Sequence, residues 1–299
     1  MTQILGVGTN NDCLEIVRKY KNIEREEHDR FREIAKKGDG GTYSLKYGEH
    51  NRDKNRYLDV LPYDYNRVKI DADGYINASY IELGSSRYVA TQGPISSTVS
   101  DFWKMCDYVC KKRIVIVMLT PLIEKQREKC CKYWSCQNFS IVDSVTGCRA
   151  IQLDFISQRY DDRGHFKVTK WKMYKPDRPA EVKDVFHFYY DKWEDFSRPS
   201  SYEHVIELSQ QVAKVRDAQE PVIVHCSAGV GRTGTFIAID HLLNSMKETT
   251  EVEECADHVD PVEDVVRLLR KQRMLMVQRP QQYQFVYDTI RKYSETNGA

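Results

Sequence analysis

The chain has 299 residues, 41% of them hydrophobic and 30% charged, with a formal net charge of +1. That balance is ordinary for a globular protein and gives no bulk electrostatic reason to expect nucleic acid or an anionic membrane as a partner. No apolar run is long enough to span a bilayer, and the first residues carry neither a basic stretch nor a long apolar one, so neither a membrane span nor a secretory leader is expected.

Along the chain, residues 11–37 are dense in charge but place Leu14, Ile16, Val17, Tyr20, Ile23, Phe31 and Ile34 at helical spacing. This predicts a helix capped by Asn11 or Asp12 and ended by the glycine-rich 38–41. A helical pattern recurs over 98–111. The β-branched runs 113–119 and 221–225 read as buried strands, while the partial alternation of 150–172 predicts strands or hairpins with an exposed face. Further helical patterns cover 200–216, 234–247, 261–273 and 281–296. The acidic 248–260 reads as a loop between two helices, too short to separate domains. There is no internal repeat and no low-complexity linker. The expectation is one α/β domain over 1–299, with the helical segment 1–40 packed on it.

Nine cysteines are present, none of them in C-x-x-C pairs. Cys130, Cys131 and Cys136 lie close together, but no second pair follows at zinc spacing. Free, mostly buried thiols in a reducing compartment are expected, hence a cytoplasmic location, with no metal and no cofactor.

The most informative stretch is His225-Cys226-Ser227-Ala228-Gly229-Val230-Gly231-Arg232-Thr233-Gly234. It is a loop of small residues between a buried strand and an apolar helix. Such a loop can turn backbone N–H groups inward at the positive end of a helix dipole, which makes an anion cradle. Cys226 opens the loop, and Arg232 follows six positions later, where a guanidinium can grip two phosphate oxygens. The same positive groups should favour the thiolate of Cys226 over its thiol. Thr233 can donate its hydroxyl to the sulfur and help it leave. A rival reading exists, because Gly229, Gly231 and Gly234 fit the G-x-G-x-x-G fingerprint of dinucleotide binding, with Glu251 and Glu253 about twenty residues further on. It requires a second apolar strand to carry that acid, which 248–260 does not offer, and it leaves Cys226 without a role.

The loop closely resembles the signature loop of the cysteine-based protein tyrosine phosphatases, in which Ser227, Ala228, Gly229, Val230 and Gly231 would cradle the phosphate. The resemblance extends over most of the chain. Lys54-Asn55-Arg56-Tyr57-Leu58-Asp59 looks like the family's phosphotyrosine-recognition segment, and Tyr75-Ile76-Asn77-Ala78 like its core motif. Thr91-Gln92-Gly93-Pro94 and Asp101-Phe102-Trp103 follow with the family's spacing. Glu124 to Lys129-Cys130 is similar to its glutamate loop, and Gln278 to Gln282 to its glutamine loop. The resemblance implies an α/β fold with a central twisted mixed β-sheet flanked by helices. It also implies hydrolysis of phosphotyrosine on proteins through a phosphocysteine intermediate, by a monomer.

Under the same resemblance Tyr57 would stack on the substrate ring and Asp59 would accept hydrogen bonds from its backbone. Glu124 would orient Arg232, Lys129 would reach toward the acid loop, and Gln278 with Gln282 would position the hydrolytic water. Asp195 would protonate the leaving phenolate from a loop beginning at Trp193. That loop departs from the family's pattern, with Glu194 in place of proline and Ser197 where glycine is usual. Leu275 stands where many relatives place glycine at the pocket mouth. A phosphotyrosine-binding module without turnover is the alternative from another class. Phosphoinositide hydrolysis is a third reading, disfavoured because no lysine lies between Cys226 and Arg232.

Overall fold

The computed structural model describes residues 10–37, 41–70, 74–143, 146–194, 197–248 and 260–297. Helices α1 (Asn10–Lys37) and α2 (Lys46–His50) precede strands β1 (Ala78–Leu83) and β2 (Ser86–Thr91). Helix α3 (Val99–Val109), β3 (Arg113–Met118) and the short pair β4 (Ile123–Glu124) and β5 (Arg127–Glu128) follow. Then come β6 (Phe139–Val142), β7 (Arg149–Asp161), β8 (Phe166–Lys175) and β9 (Arg178–Tyr189). The chain continues through α4 (Tyr202–Val215), β10 (Val222–His225), α5 (Gly231–Glu248), α6 (Pro261–Gln272) and α7 (Pro280–Asn297).

Eight strands form one mixed sheet in the order β1-β2-β10-β3-β9-β8-β7-β6. Strands β2, β10, β3 and β9 run parallel, with antiparallel neighbours at both ends. Strand β10 enters between β2 and β3, its Val222 opposite both Tyr88 and Val115 and its His225 opposite both Thr91 and Met118. A strand with parallel partners on both edges and packed layers on both faces should be apolar throughout rather than alternating. All four of its residues are buried, as the run 221–225 predicted. Its carboxyl end lies at the centre of the sheet, where open α/β sheets present their binding crevices.

The pleat sorts the core into two layers. Val115 and Val117 of β3 join Val222 and Val224 of β10 on the face covered by α1 and α4 through α7. Ile114, Ile116, Met118 and Ile223 point to the other face, against Phe102, Trp103 and Met105 of α3. From α1, Ile16, Tyr20 and Ile23 enter the first core at spacings of four and three, whereas Leu14 stays 70% exposed. That is the 3.6-residue stripe expected of a helix docked along one side.

Several helix ends shift by one to three residues from the sequence expectation, and two of these shifts bear on capping and on the site. Helix α1 starts at Asn10, so Asn11 and Asp12 lie inside it and do not cap it; residues 38–40 lie outside the described residues. Helix α5 starts at Gly231 rather than 234, because Val230 C=O accepts the Gly234 N–H at 2.9 Å and closes a helical turn through the loop. Arg232 and Thr233 thereby fall in the first turn of the helix. The hairpin β1–β2 and strand β9 carried too little apolar periodicity to be read. In β9 the first five residues are exposed, so no buried stripe marks them. Among the described residues, no helix is long and apolar enough to cross a membrane.

Candidate active site

The loop between β10 and α5 is shaped by where its carbonyls go. Ser227 C=O accepts from Gly93 N–H at 2.9 Å and Val230 C=O from Val277 N–H at 3.2 Å. Arg273, fully buried, donates Nε to Gly229 C=O at 2.9 Å and Nη2 to Ala228 C=O at 3.1 Å. In a trans peptide the carbonyl and the following N–H point in opposite directions. Drawing these four carbonyls outward therefore turns the N–H groups of Ala228, Gly229, Val230 and Gly231 into the hollow of the loop, an anion nest at the head of α5. Gly229 makes the bend at φ +73°, and a Cβ there would sit 2.2 Å from the Thr91 carbonyl oxygen, so no other residue fits.

Cys226 enters this hollow from β10 and is 3% exposed. Arg232 is 1% exposed; its Nη1 donates to Trp193 C=O at 2.7 Å and its Nη2 lies 3.7 Å from Glu124 Oε2. A carbonyl and a carboxylate thus fix the plane of the guanidinium. Lys129 Nζ is 3.9 Å from the same Glu124 oxygen. The Thr233 hydroxyl is buried with no hydrogen-bond partner among the described residues.

Three further segments close on the loop. Tyr57 Oη lies 2.9 Å from Ser227 Oγ, and Asp59 is exposed in the turn that follows it. Arg56 secures this segment by donating to Gly93 C=O at 3.0 Å and Pro94 C=O at 2.8 Å. Gln282 accepts the Gln278 N–H at 3.0 Å. A Cβ at Gly231 would meet both side-chain amides, 3.1 Å from Gln282 Nε2 and 3.3 Å from Gln278 Oε1. Trp193, fully buried, donates its indole N–H to Ser197 C=O at 2.9 Å. Ser197 returns its N–H and its hydroxyl to Glu194 C=O, at 3.3 and 2.8 Å. Asp195 and Phe196 lie outside the described residues.

The dinucleotide reading does not fit this architecture. Strand β10 is already paired on both edges, with β2 and β3, so no strand following α5 can lie beside it to complete a βαβ unit.

A family model described as Protein-tyrosine phosphatase matches residues 51–292. The chain belongs to the protein-tyrosine phosphatase family. It is 35% identical to Tyrosine-protein phosphatase 1 of Saccharomyces cerevisiae over 91% of its own length and 92% of that protein's. It is 34% identical to Tyrosine-protein phosphatase 1 of Schizosaccharomyces pombe over 94% of its length, spanning 52% of that longer relative. Among solved structures, the Trypanosoma cruzi protein tyrosine phosphatase TcPTP1 superposes with a TM-score of 0.80 at 26% identity, covering 97% of this chain and 95% of that one. The chain is accordingly a protein-tyrosine phosphatase.

Behind Cys226 of this phosphatase lies a buried chain of hydrogen bonds. His225 Nδ1 is 3.1 Å from Cys226 C=O, Tyr133 Oη is 2.6 Å from His225 Nε2, and His187 Nε2 is 2.8 Å from Tyr133 Oη. Only a donating Nδ1–H suits the carbonyl, so His225 Nε2 accepts from Tyr133, and His187 must donate its Nε2–H to the phenol oxygen. His187 Nδ1 is then the bare nitrogen, and it has no partner among the described residues. Burial holds His187 down to about 3 and His225 to about 4, so both are neutral.

The structure brings Cys226, Arg232 and the segments quoted around them together, and the sequence reading did not single out Arg273 or Arg270. The available signal was a charged residue on the apolar stripe of a helix. Arg270 falls one turn after Val266 and beside Leu269 and is itself buried. A buried arginine requires acceptors, and here they are loop carbonyls together with the side chains of Glu27, Tyr20, Ser79 and Asn77.

Proposed function

We propose that this phosphatase hydrolyses phosphotyrosine on proteins by way of a phosphocysteine formed on Cys226. The observation that carries the reading is the convergence on one hollow of a buried thiol, four inward backbone N–H groups and a guanidinium whose plane is fixed. In the first step Cys226 sulfur attacks phosphorus as the bond from phosphorus to the tyrosyl oxygen breaks. Asp195 gives its proton to the departing phenolate, whose conjugate acid has a pKa near ~10. The N–H groups from Ala228 to Gly231 and the Arg232 fork hold the equatorial oxygens through the transition state, where positioning and electrostatics supply most of the catalysis. In the second step a water aligned by Gln278, with Gln282 behind it, attacks phosphorus. Its proton passes to Asp195, the sulfur–phosphorus bond breaks, and the thiolate leaves with the Thr233 hydroxyl as donor.

Around this core Tyr57 stacks on the substrate ring and Asp59 takes hydrogen bonds from the substrate backbone. Glu124, Lys129 and Trp193 hold Arg232 and the acid loop, and His225 fixes the entry to the phosphate loop. Helix α1 belongs to the same single domain as the rest of the described chain. We place the enzyme in the cytoplasm, acting as a monomer on tyrosine-phosphorylated proteins. The test is turnover of a phosphotyrosine peptide in the presence of chelator, by the wild type and Cys226→Ser. The reading requires full activity with chelator and none in the variant. Chelator-sensitive turnover, or an active serine variant, would remove the phosphocysteine route.

A further inference from the structure

We infer that α1, which precedes the residues matched by the family model, positions the second catalytic step through Glu27. The point of action is the turn between α6 and α7, residues 273–279, which carries Gln278. Two of its residues stand in the left-handed region, Leu275 at φ 58° and Val277 at φ 59°. That conformation is unusual for any side chain and rarer still for a β-branched one, so it persists only where neighbours over-determine it.

The neighbours are specific. Glu27 is 2% exposed, and its two oxygens do separate work. Oε1 accepts the Leu275 N–H at 2.8 Å, while Oε2 accepts from Arg270 Nη1 at 2.8 Å. Arg270 spends its other donors on the same turn, giving Nε to Met276 C=O and Nη2 to Val277 C=O, each at 2.9 Å. Tyr20, about two turns before Glu27 on the same face of α1, accepts from Arg270 Nη2 at 3.0 Å and donates to Val277 C=O at 3.2 Å. From the opposite side Val277 N–H binds Val230 C=O of the phosphate loop at 3.2 Å. Backbone groups at 275, 276 and 277 are therefore fixed by α1 and by an arginine that α1 orients, immediately before Gln278.

Glu27, Arg270 and Tyr20 touch neither substrate nor phosphoryl group. They are positioning residues for the amide that aligns the hydrolytic water. This rests on the role proposed for Gln278, and the test separates the two. The removal of one acceptor in Glu27→Gln and of one hydroxyl in Tyr20→Phe leaves side-chain volume nearly unchanged, so the second variant remains informative if the first does not fold. Each is compared with wild type and Gln278→Ala for kcat, kcat/KM and the pre-steady-state burst on a phosphotyrosine peptide. Amide hydrogen exchange at 275–278 is measured alongside.

The expected result is faster exchange confined to the turn, kcat lowered on the order of tenfold to a hundredfold, and kcat/KM held near wild type. A burst approaching one phosphocysteine per enzyme should appear, because only the second step has slowed. A purely structural role would lower the melting temperature without creating a burst. Unchanged kcat and burst in folded Glu27→Gln and Tyr20→Phe, beside a slowed Gln278→Ala, would overturn the brace and leave Gln278 in place. The reverse pattern, a silent Gln278→Ala beside slowed α1 variants, would take the water from Gln278 and leave the brace standing.

Discussion

Arg232 and the buried histidines act on the same loop by different physics, and they separate experimentally. For Arg232 the geometry of the fork matters more than its charge, since Trp193 C=O and Glu124 fix its plane. Arg232→Lys keeps the charge and loses the planar double contact. We predict a loss of about a thousandfold or more in kcat/KM, the scale of a transition-state guanidinium; steady-state kinetics on a phosphotyrosine peptide measures it. His187 and His225 affect stability through pH. Their folded values, about 3 and about 4, lie below the ordinary 6.5. Above pH 6.5 both states are neutral and nothing is lost. Below it the unfolded chain takes up protons that the folded one refuses, so stability falls from pH 6.5 down to the folded values. Each group contributes a slope of up to about 1.4 kcal/mol per pH unit. His187→Phe should therefore flatten the fall in melting temperature between pH 6.5 and 4.5, and an unchanged slope would contradict the neutral state assigned to buried His187. Nothing in the sequence marked His187, because a histidine in an apolar strand reads the same whether it is a core residue or one link of such a chain.

The acid loop and α5 show how whole elements carry the departures from family pattern. Glu194 replaces a residue of fixed φ, but Ser197 uses its N–H and hydroxyl to bind Glu194 C=O, closures that a glycine could make only in part. With the proline absent, we expect the enzyme to be slow on substrates whose leaving group needs a proton. General acid assistance is worth about 10²–10⁴ in rate. Asp195→Ala should lower kcat on phosphotyrosine while leaving peptide binding intact, and Glu194→Pro should raise kcat more for basic than for acidic phenol leaving groups. A leaving-group series at fixed pH decides both; a flat response to Glu194→Pro would show that the loop already holds its acid well. In α5, buried Asp240 accepts from Tyr88 Oη and Ser209 Oγ, each at 2.7 Å, and pairs with Arg216 at 3.1 Å. It ties β2 and α4 to the helix that carries Arg232. Asp240→Ala would strand a mostly buried cation and should cost about 3–5 kcal/mol in denaturant unfolding; a loss under 1 kcal/mol would remove that tie.

Across the molecule, what could be read in the sequence was what local chemistry dictates. The β-branched run of β10, the small-residue loop and the cysteine-to-arginine spacing each follow from the needs of a buried strand feeding an anion cradle, and the structure has that buried strand leading through the loop into α5. The bracing arginines did not show, because Arg273 acts on Ala228 and Gly229 from 45 and 44 positions away and Arg270 on α1 from 243. Such pairs exist only once the chain has folded, and charge on an amphipathic helix ordinarily signals a solvated face. The long-range ties also explain why the site tolerates strained backbone at Leu275 and Val277, at a cost of about 1–3 kcal/mol each. The most direct test of the whole account is rapid-quench mass spectrometry of Gln278→Ala mixed with a phosphotyrosine peptide. The account predicts one phosphoryl group on the peptide that contains Cys226, formed within the first turnover and absent in the same variant carrying Cys226→Ser. Turnover with no phosphoenzyme at any quench time, or a phosphoryl group on another residue, would contradict it.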